Sequence, residues 1–238
     1  MNSSLIIRDM RKDLKKLSNP KGRLGFQRFF KEKIKCYGLK SSEIGKIIKK
    51  YWERISEESK EEILNLCERL FSSDYSEEAF IASFFSLKLS SKFQRTDFKI
   101  FERWVDKYIN NWAKCDVFCT GTIGTFVEMY PGYIKELNRW AKSKNIWVKR
   151  ASVVSLIPLA RRGEHLKEAF ELSRILLLDY ADMVQKGYGW LLKEASRKHL
   201  EEVFHFVLEN KKVMPRIALR YAIELMPREL KAKAMKKE

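Results

Sequence analysis

Apolar residues recur at spacings of three and four along almost the whole chain, which is the pattern of amphipathic helices. A first helix is predicted over 5–17, ending before Asn19 and Pro20. Ser41 or Ser42 is the predicted N-cap of the next one. Pro158 should kink the helix around it. The same spacing predicts further helices at 44–55, 63–70, 79–89, 100–108, 112–130, 132–143, 146–162, 164–178, 181–197, 199–210 and 214–226.

The predicted helices follow one another at regular intervals as helical hairpins with short connections. Paired helices that return every 36–40 residues or so are typical of a right-handed α-solenoid of HEAT-like repeats. We expect an all-α fold with one domain over 1–238, whose curvature gives a concave basic face. A compact helical bundle is the alternative architecture.

Composition supports helices and narrows the possible cofactors. The chain has only 10 glycines and 5 prolines, few for a sheet protein with many turns. Its four cysteines form no CxxC pair, and its histidines add no ligand spacing, so we expect no structural zinc site. No apolar run approaches the roughly 20 residues of a membrane span, and no secretory segment opens the chain. We therefore expect a cytoplasmic protein with reduced thiols.

The charge indicates a polyanionic partner. The formal net charge is +17 and the pI is about 9.7. The net charge is unevenly distributed along the chain: +10 over residues 1–60, −2 over 61–110, +6 over 111–163 and +3 over 164–238. Such an excess raises the affinity for nucleic acid. A charged surface of the thermophilic kind is the alternative, but it enriches cations and anions together.

Three motifs combine aromatic and basic residues. They are W-x-x-x-D at Trp112 to Asp116, W-x-[KR]-R at Trp147 to Arg150, and K-G-x-G-W-x-L-[KR]-E at Lys186 to Glu194. In order and separation they resemble the motifs of the DNA alkylation repair family, the AlkD-type HEAT-like alkylpurine DNA glycosylases. The resemblance extends over about residues 23–226.

The resemblance implies hydrolysis of the N-glycosidic bond of purines alkylated at N3 or N7, without a metal or organic cofactor. It implies that Asp116 is the catalytic carboxylate and that Trp112 and Trp190 line the lesion site. Arg150 would hold the DNA backbone, joined by Lys149 from the same motif. The expected partner is double-stranded DNA with alkylated purines. We expect a monomer that is associated with the nucleoid when bound to DNA.

The chemistry of the substrate agrees with a single carboxylate. An alkylated purine is cationic and leaves as a neutral base, so no second acid is required. Cleavage places positive charge on the sugar, and a carboxylate beside C1′ would stabilise it. On a helix, Trp112 and Asp116 would share a face, where an indole can attract a cationic base.

Two positions depart from the family pattern, and both concern predicted DNA contacts. Lys40 and Ser41 lie in a segment that lacks the proline common in the family, and Phe29 stands where the family often has tyrosine near the lesion. Arg216 and Arg220, four residues apart, are candidate phosphate contacts.

Simpler interpretations remain open. Asp116 could be a helix N-cap, Arg150 could belong to a solvated basic face, and Trp104 and Trp140 are expected in the core. A non-catalytic nucleic-acid-binding scaffold and a HEAT-type protein-interaction module are the alternative functions.

Overall fold

The computed structural model describes residues 3–236, which form sixteen α-helices. Within this range no strand occurs, and a single parallel bridge joins Lys35 to Tyr75. The prediction of an all-α fold is confirmed. The helices are α1 (Ser3–Leu17), α2 (Pro20–Gln27), α3 (Ser41–Ile55), α4 (Lys60–Phe71), α5 (Ser76–Lys88), α6 (Asp97–Tyr108), α7 (Trp112–Phe118), α8 (Gly124–Met129), α9 (Ile134–Trp140), α10 (Ile146–Val154), α11 (Ile157–Arg162), α12 (Leu166–Ile175), α13 (Asp182–Ala195), α14 (Leu200–Asn210), α15 (Arg216–Ala222) and α16 (Arg228–Met235).

Local capping chemistry sets several of these boundaries. Asn19 caps α2 by accepting from the backbone N–H of Lys21 at 3.0 Å, and Pro20 occupies the first turn. The predicted serine cap of α3 is wrong, because the helix begins at Ser41 and Lys40 is the N-cap. There the side chain of Glu43 accepts from the backbone N–H of Lys40 at 2.7 Å.

Four elements differ from the sequence prediction. The predicted helix over 112–130 is interrupted by a π-helical turn at Cys119–Ile123. The predicted helix over 146–162 is broken between Val154 and Ile157, where Pro158 starts the first turn of α11. Helices α2 and α16 were not predicted.

The chain divides into two compact units between Thr122 and Ile123. In the first unit, α5 packs against α3, α4 and α7, while α1 packs against α3 and α4. Trp104 is completely buried there and its ring contacts those of Phe71, Phe101 and Phe118. The predicted core position of Trp104 is confirmed. The prediction of one domain over 1–238 stays a prediction.

The second unit is built around α13. This helix packs against α10, α11, α12 and α15. Trp140, at the end of α9, is only 1% exposed, as predicted. The core of this unit therefore holds the same helix that carries the K-G-x-G-W motif.

Candidate functional site

Helix α7 carries the W-x-x-x-D motif and begins at Trp112. Its N-cap is Asn111, whose side-chain oxygen accepts from the backbone N–H of Lys114 at 3.0 Å. Asp116 lies one turn beyond Trp112, inside the helix, and both side chains are partly exposed. The alternative of Asp116 as a helix cap is therefore wrong. The carboxylate and the indole share one helix face, because residues four apart are neighbours there.

A π-helical turn follows α7 directly. The Thr120 hydroxyl in this turn donates to the backbone oxygen of Asp116 at 2.6 Å. The buried hydroxyls of Thr122 and Ser86 lie 2.8 Å apart and join the turn to α5. Single π turns interrupt α-helices most often at functional sites. The turn shifts the helical register immediately after the candidate carboxylate.

The indole of Trp112 is fixed by the segment that follows α2. Its ring stacks on that of Phe30, with centroids 5.1 Å apart and an interplanar angle of 14°. Its Nε1 donates to the backbone oxygen of Phe29 at 3.3 Å. The Phe29 side chain is 70% exposed. The structure thus brings Phe29 next to Trp112 and presents the phenyl ring to solvent, while the role of both residues at a lesion stays a prediction.

Lys114 lies between the tryptophan and the aspartate of the W-x-x-x-D motif, and it is a buried cation. Its side chain is 1% exposed. Nζ donates to the backbone oxygen of Asp74 at 2.9 Å, to Oδ1 of Asp74 at 2.7 Å and to Oδ1 of Asn110 at 3.0 Å. Burial lowers the pKa of Lys114, partly offset by the Asp74 carboxylate. Lys114 therefore anchors the first turn of α7 to the turn between α4 and α5.

A second buried group that the sequence did not reveal holds the loop before α3. The carboxylate of Glu77, which is 3% exposed, accepts from the backbone N–H groups of residues 37–39 at 2.7–3.2 Å. Gly38 in this loop has a φ of +84°, which favours glycine. Lys40 and Ser41 follow directly and are exposed. The loop is thus tied down without the proline expected from the family pattern.

In the second unit, the two basic residues of the W-x-K-R motif are engaged by the chain around the start of α13. Arg150 is only 5% exposed, and its Nη1 donates to the backbone oxygen of Met183. The Lys149 ammonium lies 2.5 Å from Oδ2 of Asp179 and 5.7 Å from the ring centroid of Tyr180. The DNA contacts expected of Lys149 and Arg150 stay predictions.

The glycines of the K-G-x-G-W motif explain how α13 packs. A Cβ at Gly187 would lie 3.1 Å from Cγ2 of Val153 on α10. A Cβ at Gly189 would lie 2.8 Å from the backbone oxygen of Ala218 and 2.7 Å from Cβ of Tyr221, both on α15. Both positions therefore allow helices to approach closely, which is a structural role for half of the motif.

Trp190 completes the motif on α13. It is partly exposed, and its Nε1 donates to Oε1 of Glu194 at 3.2 Å. The buried Glu194 carboxylate also binds Arg161 and Arg197, at 2.9 and 2.6 Å. Burial raises the pKa of Glu194, but the hydrogen bonds from both arginines outweigh it, so the pKa lies below its usual value. This carboxylate network orients the indole.

The two arginines near the C-terminal end lie on α15 and are exposed. Arg216 donates from both Nη atoms to the backbone oxygen of Met235 at 3.4 Å. Arg220 lies one turn further on. Their role as phosphate contacts stays a prediction.

Within residues 3–236 there is no group of three or more His, Cys, Asp and Glu side chains that could hold a metal ion. In the same range, no helix combines the length and the apolar character that crossing a bilayer demands.

The fold and the motifs define a helical-repeat protein with a tryptophan and a carboxylate one turn apart on α7. The model of the DNA alkylation repair enzyme family matches residues 10–226, and the chain belongs to that family. A solved structure described as a predicted DNA alkylation repair enzyme from Enterococcus faecalis is similar, with a TM-score of 0.79 and 16% identity over 89% of this chain and 97% of that one.

Two further solved structures share the fold. AlkD2 from Streptococcus mutans has a TM-score of 0.60 and 20% identity over 91% of this chain and 98% of its own. The smu.31 protein from Streptococcus mutans UA159 has a TM-score of 0.57 and 21% identity over 81% of this chain and 97% of its own. No curated protein matches the sequence significantly.

Proposed function

We propose that the chain is a DNA glycosylase that removes cationic purines alkylated at N3 or N7 and leaves an abasic site. The observation that carries the proposal is the position of Asp116 in a chain of the DNA alkylation repair family. Asp116 lies inside α7, partly exposed, one turn from a partly exposed tryptophan.

The proposed chemistry balances with one carboxylate. The bond between C1′ and the purine nitrogen breaks, and its electron pair neutralises the positive ring of the departing base. The sugar becomes positively charged, and the carboxylate of Asp116 stabilises it as in glycoside hydrolysis. Water then adds to C1′ and releases one proton to the surrounding solvent. Because the base leaves neutral, no general acid and no metal are required to assist its departure.

Trp112 supplies selectivity in this proposal. A desolvated contact between an aromatic ring and a cation stabilises by about 2 kcal/mol, roughly thirtyfold in affinity. Phe30 covers one face of the indole, so the alkylated base would meet the opposite face. This interaction favours a charged purine over a neutral one without hydrogen bonds to its edge.

The remaining contacts are proposed separately for each unit. In the first unit, the exposed Phe29 would touch the duplex beside Trp112, and the exposed Lys40 and Ser41 would bind phosphate. In the second unit, Trp190 would face the lesion, while Arg150, Lys149 and Arg216 would bind the backbone.

Excision of methylated bases tests the proposal. Duplex DNA with N7-methylguanine or N3-methyladenine is incubated with wild type and Asp116→Asn, and the released base is quantified. We expect Asp116→Asn to lower the rate by about 10²–10³-fold, as for other removed transition-state stabilisers.

Asp106→Asn, an exposed carboxylate change on α6, is the matched control and should retain the wild-type rate. Equal release by wild type and Asp116→Asn would remove Asp116 from the mechanism. No release by wild type would refute the glycosylase itself.

A further inference from the structure

A groove of about 450 Å³ lies between α1 and α4 in the first unit. It shares no residue with α7 or with the segment that holds Trp112. Ile7 and Ser4 are its uncharged lining residues. The basic side chains that line it are Arg8, Arg11, Lys12 and Lys15 from α1 and Arg69 from α4.

The acidic and the basic side chains of α1 lie on different faces of the helix. The acidic residues face α3, where Oδ2 of Asp9 lies 3.2 Å from Arg54 and Oδ2 of Asp13 lies 2.6 Å from Lys50. The basic residues at spacings of three and four share the face that lines the groove. The carboxylates of α1 are therefore largely used for packing against α3.

Only part of the positive charge in the groove is compensated. Arg11 forms a two-pronged ion pair with the fully buried Glu78, at 3.0 and 2.9 Å. Arg8 lies 3.7 Å from Oδ1 of Asp9, whose other carboxylate oxygen pairs with Arg54.

Across the part of the chain that the structure describes, no acidic side chain lies within 4 Å of Lys12, Lys15 or Arg69. Like charges one turn apart destabilise a helix. The row of basic residues along α1 that lines the groove therefore lowers the stability of the helix, and a bound polyanion would offset that cost.

The dimensions and composition of the groove fit one strand of a duplex. Arg8 and Lys15 are seven residues apart, about 10 Å along the helix axis. A DNA strand carries one phosphate for about every 3.4 Å of duplex axis, so the row covers about three phosphates. Protein interfaces use aromatic anchors and avoid lysine, whereas this groove has lysines and no aromatic lining. The chemistry favours a nucleic-acid backbone over a protein partner.

We propose that this groove, formed by α1 and α4, binds the phosphate backbone of duplex DNA at a second surface, separate from the residues around Asp116. Lys12, Lys15 and Arg69 supply the uncompensated charge, and Glu78 holds Arg11 in place beside them. The proposal does not depend on the excision chemistry, because the groove contacts phosphates and reads neither base nor lesion.

The test is the salt dependence of binding to an undamaged 30-base-pair duplex, followed by fluorescence anisotropy. The triple variant Lys12→Gln, Lys15→Gln, Arg69→Gln should lower the magnitude of the slope of log K against log salt by about 2.7, at 0.9 per phosphate contact. Circular dichroism and a thermal melt verify that the exposed substitutions leave the fold intact.

The matched control removes three exposed cations of the same unit outside the groove, with Lys92→Gln, Lys99→Gln and Lys107→Gln. Its slope should stay within about 1 of the wild-type slope. An unchanged slope in the groove variant, or an equal fall in both variants, would overturn the proposal. If the groove variant has the wild-type salt slope and also releases methylpurine normally, DNA binding by the groove is refuted and the proposed glycosylase activity is not.

Discussion

Lys114 is a buried cation whose ammonium is satisfied by three oxygens of the first unit. Lys114→Met keeps the length of the side chain but removes the donor to the backbone oxygen of Asp74, while Oδ1 of Asp74 keeps only the hydrogen bond from Nδ2 of Asn110 at 2.7 Å. We expect the variant to lose about 1–3 kcal/mol of unfolding free energy, the typical cost of orphaned polar groups. Urea unfolding followed by circular dichroism measures this loss.

Lys107→Met is the comparison at an exposed lysine of the same unit, and it should change stability by less than about 0.5 kcal/mol. If both substitutions cost the same, the hydrogen bonds of Lys114 contribute nothing measurable. In the sequence the two lysines look alike, because each lies in a stretch whose apolar residues have the spacing of a helix. Only the turn at Asp74, forty residues away, distinguishes them.

Asp116 and Asn111 illustrate a similar ambiguity. Asparagine and aspartate are both favoured N-caps, so either could begin a helix in this stretch. Asn111 takes the cap, and Asp116 comes to lie in the helix interior beside Trp112. By contrast, the core positions of Trp104 and Trp140 were predictable, because each falls in the apolar stripe of its helix.

Helix α13 is the element whose packing depends most directly on glycine. At Gly189 an added Cβ would meet the backbone of α15 at Ala218, 2.8 Å away. Since a backbone oxygen cannot rotate aside, the two helices must separate. We expect Gly189→Ala to cost about 1–3 kcal/mol of unfolding free energy by overpacking, despite the better helix propensity of alanine.

Gly45→Ala provides the control within α3. An added Cβ there meets nothing within 4 Å, and the position is exposed. Propensity alone should therefore stabilise the protein by up to about 1 kcal/mol. If the close approach of α13 and α15 is the reason for glycine at position 189, urea unfolding should show a lower unfolding free energy for Gly189→Ala and a higher one for Gly45→Ala. A stable Gly189→Ala variant would contradict this explanation.

The whole molecule carries a net charge of +17, and several carboxylates oppose it by pairing with cations. In Glu194 the arginine contacts hold the pKa below the usual 4.5, against burial, which alone would raise it. A depressed pKa stabilises the fold above the ordinary value, and this contribution is lost as the pH falls through the folded value. Protonation also adds positive charge, so self-repulsion increases.

We therefore expect the unfolding free energy to decline steadily as the pH falls from about 4.5. Glu194→Gln should be less stable than wild type at pH 7, and the difference should shrink as the pH falls below 4.5 and Glu194 of the wild type takes up its proton. Thermal melts across this range measure the difference. A difference that stays constant as the pH is lowered to the point of acid unfolding would show that the charge of Glu194 does not stabilise the fold.

The sequence alone determined the helical class of this protein, the positions of most helices, the basic charge and the family. These properties follow from local spacing, composition and short motifs, which the chain carries whatever its tertiary contacts. Tertiary structure decided what no local pattern encodes: the burial of Lys114 and Glu77, the π turn after α7, and the close packing at Gly189. Each of these depends on atoms contributed by distant parts of the chain, which meet only in the folded protein.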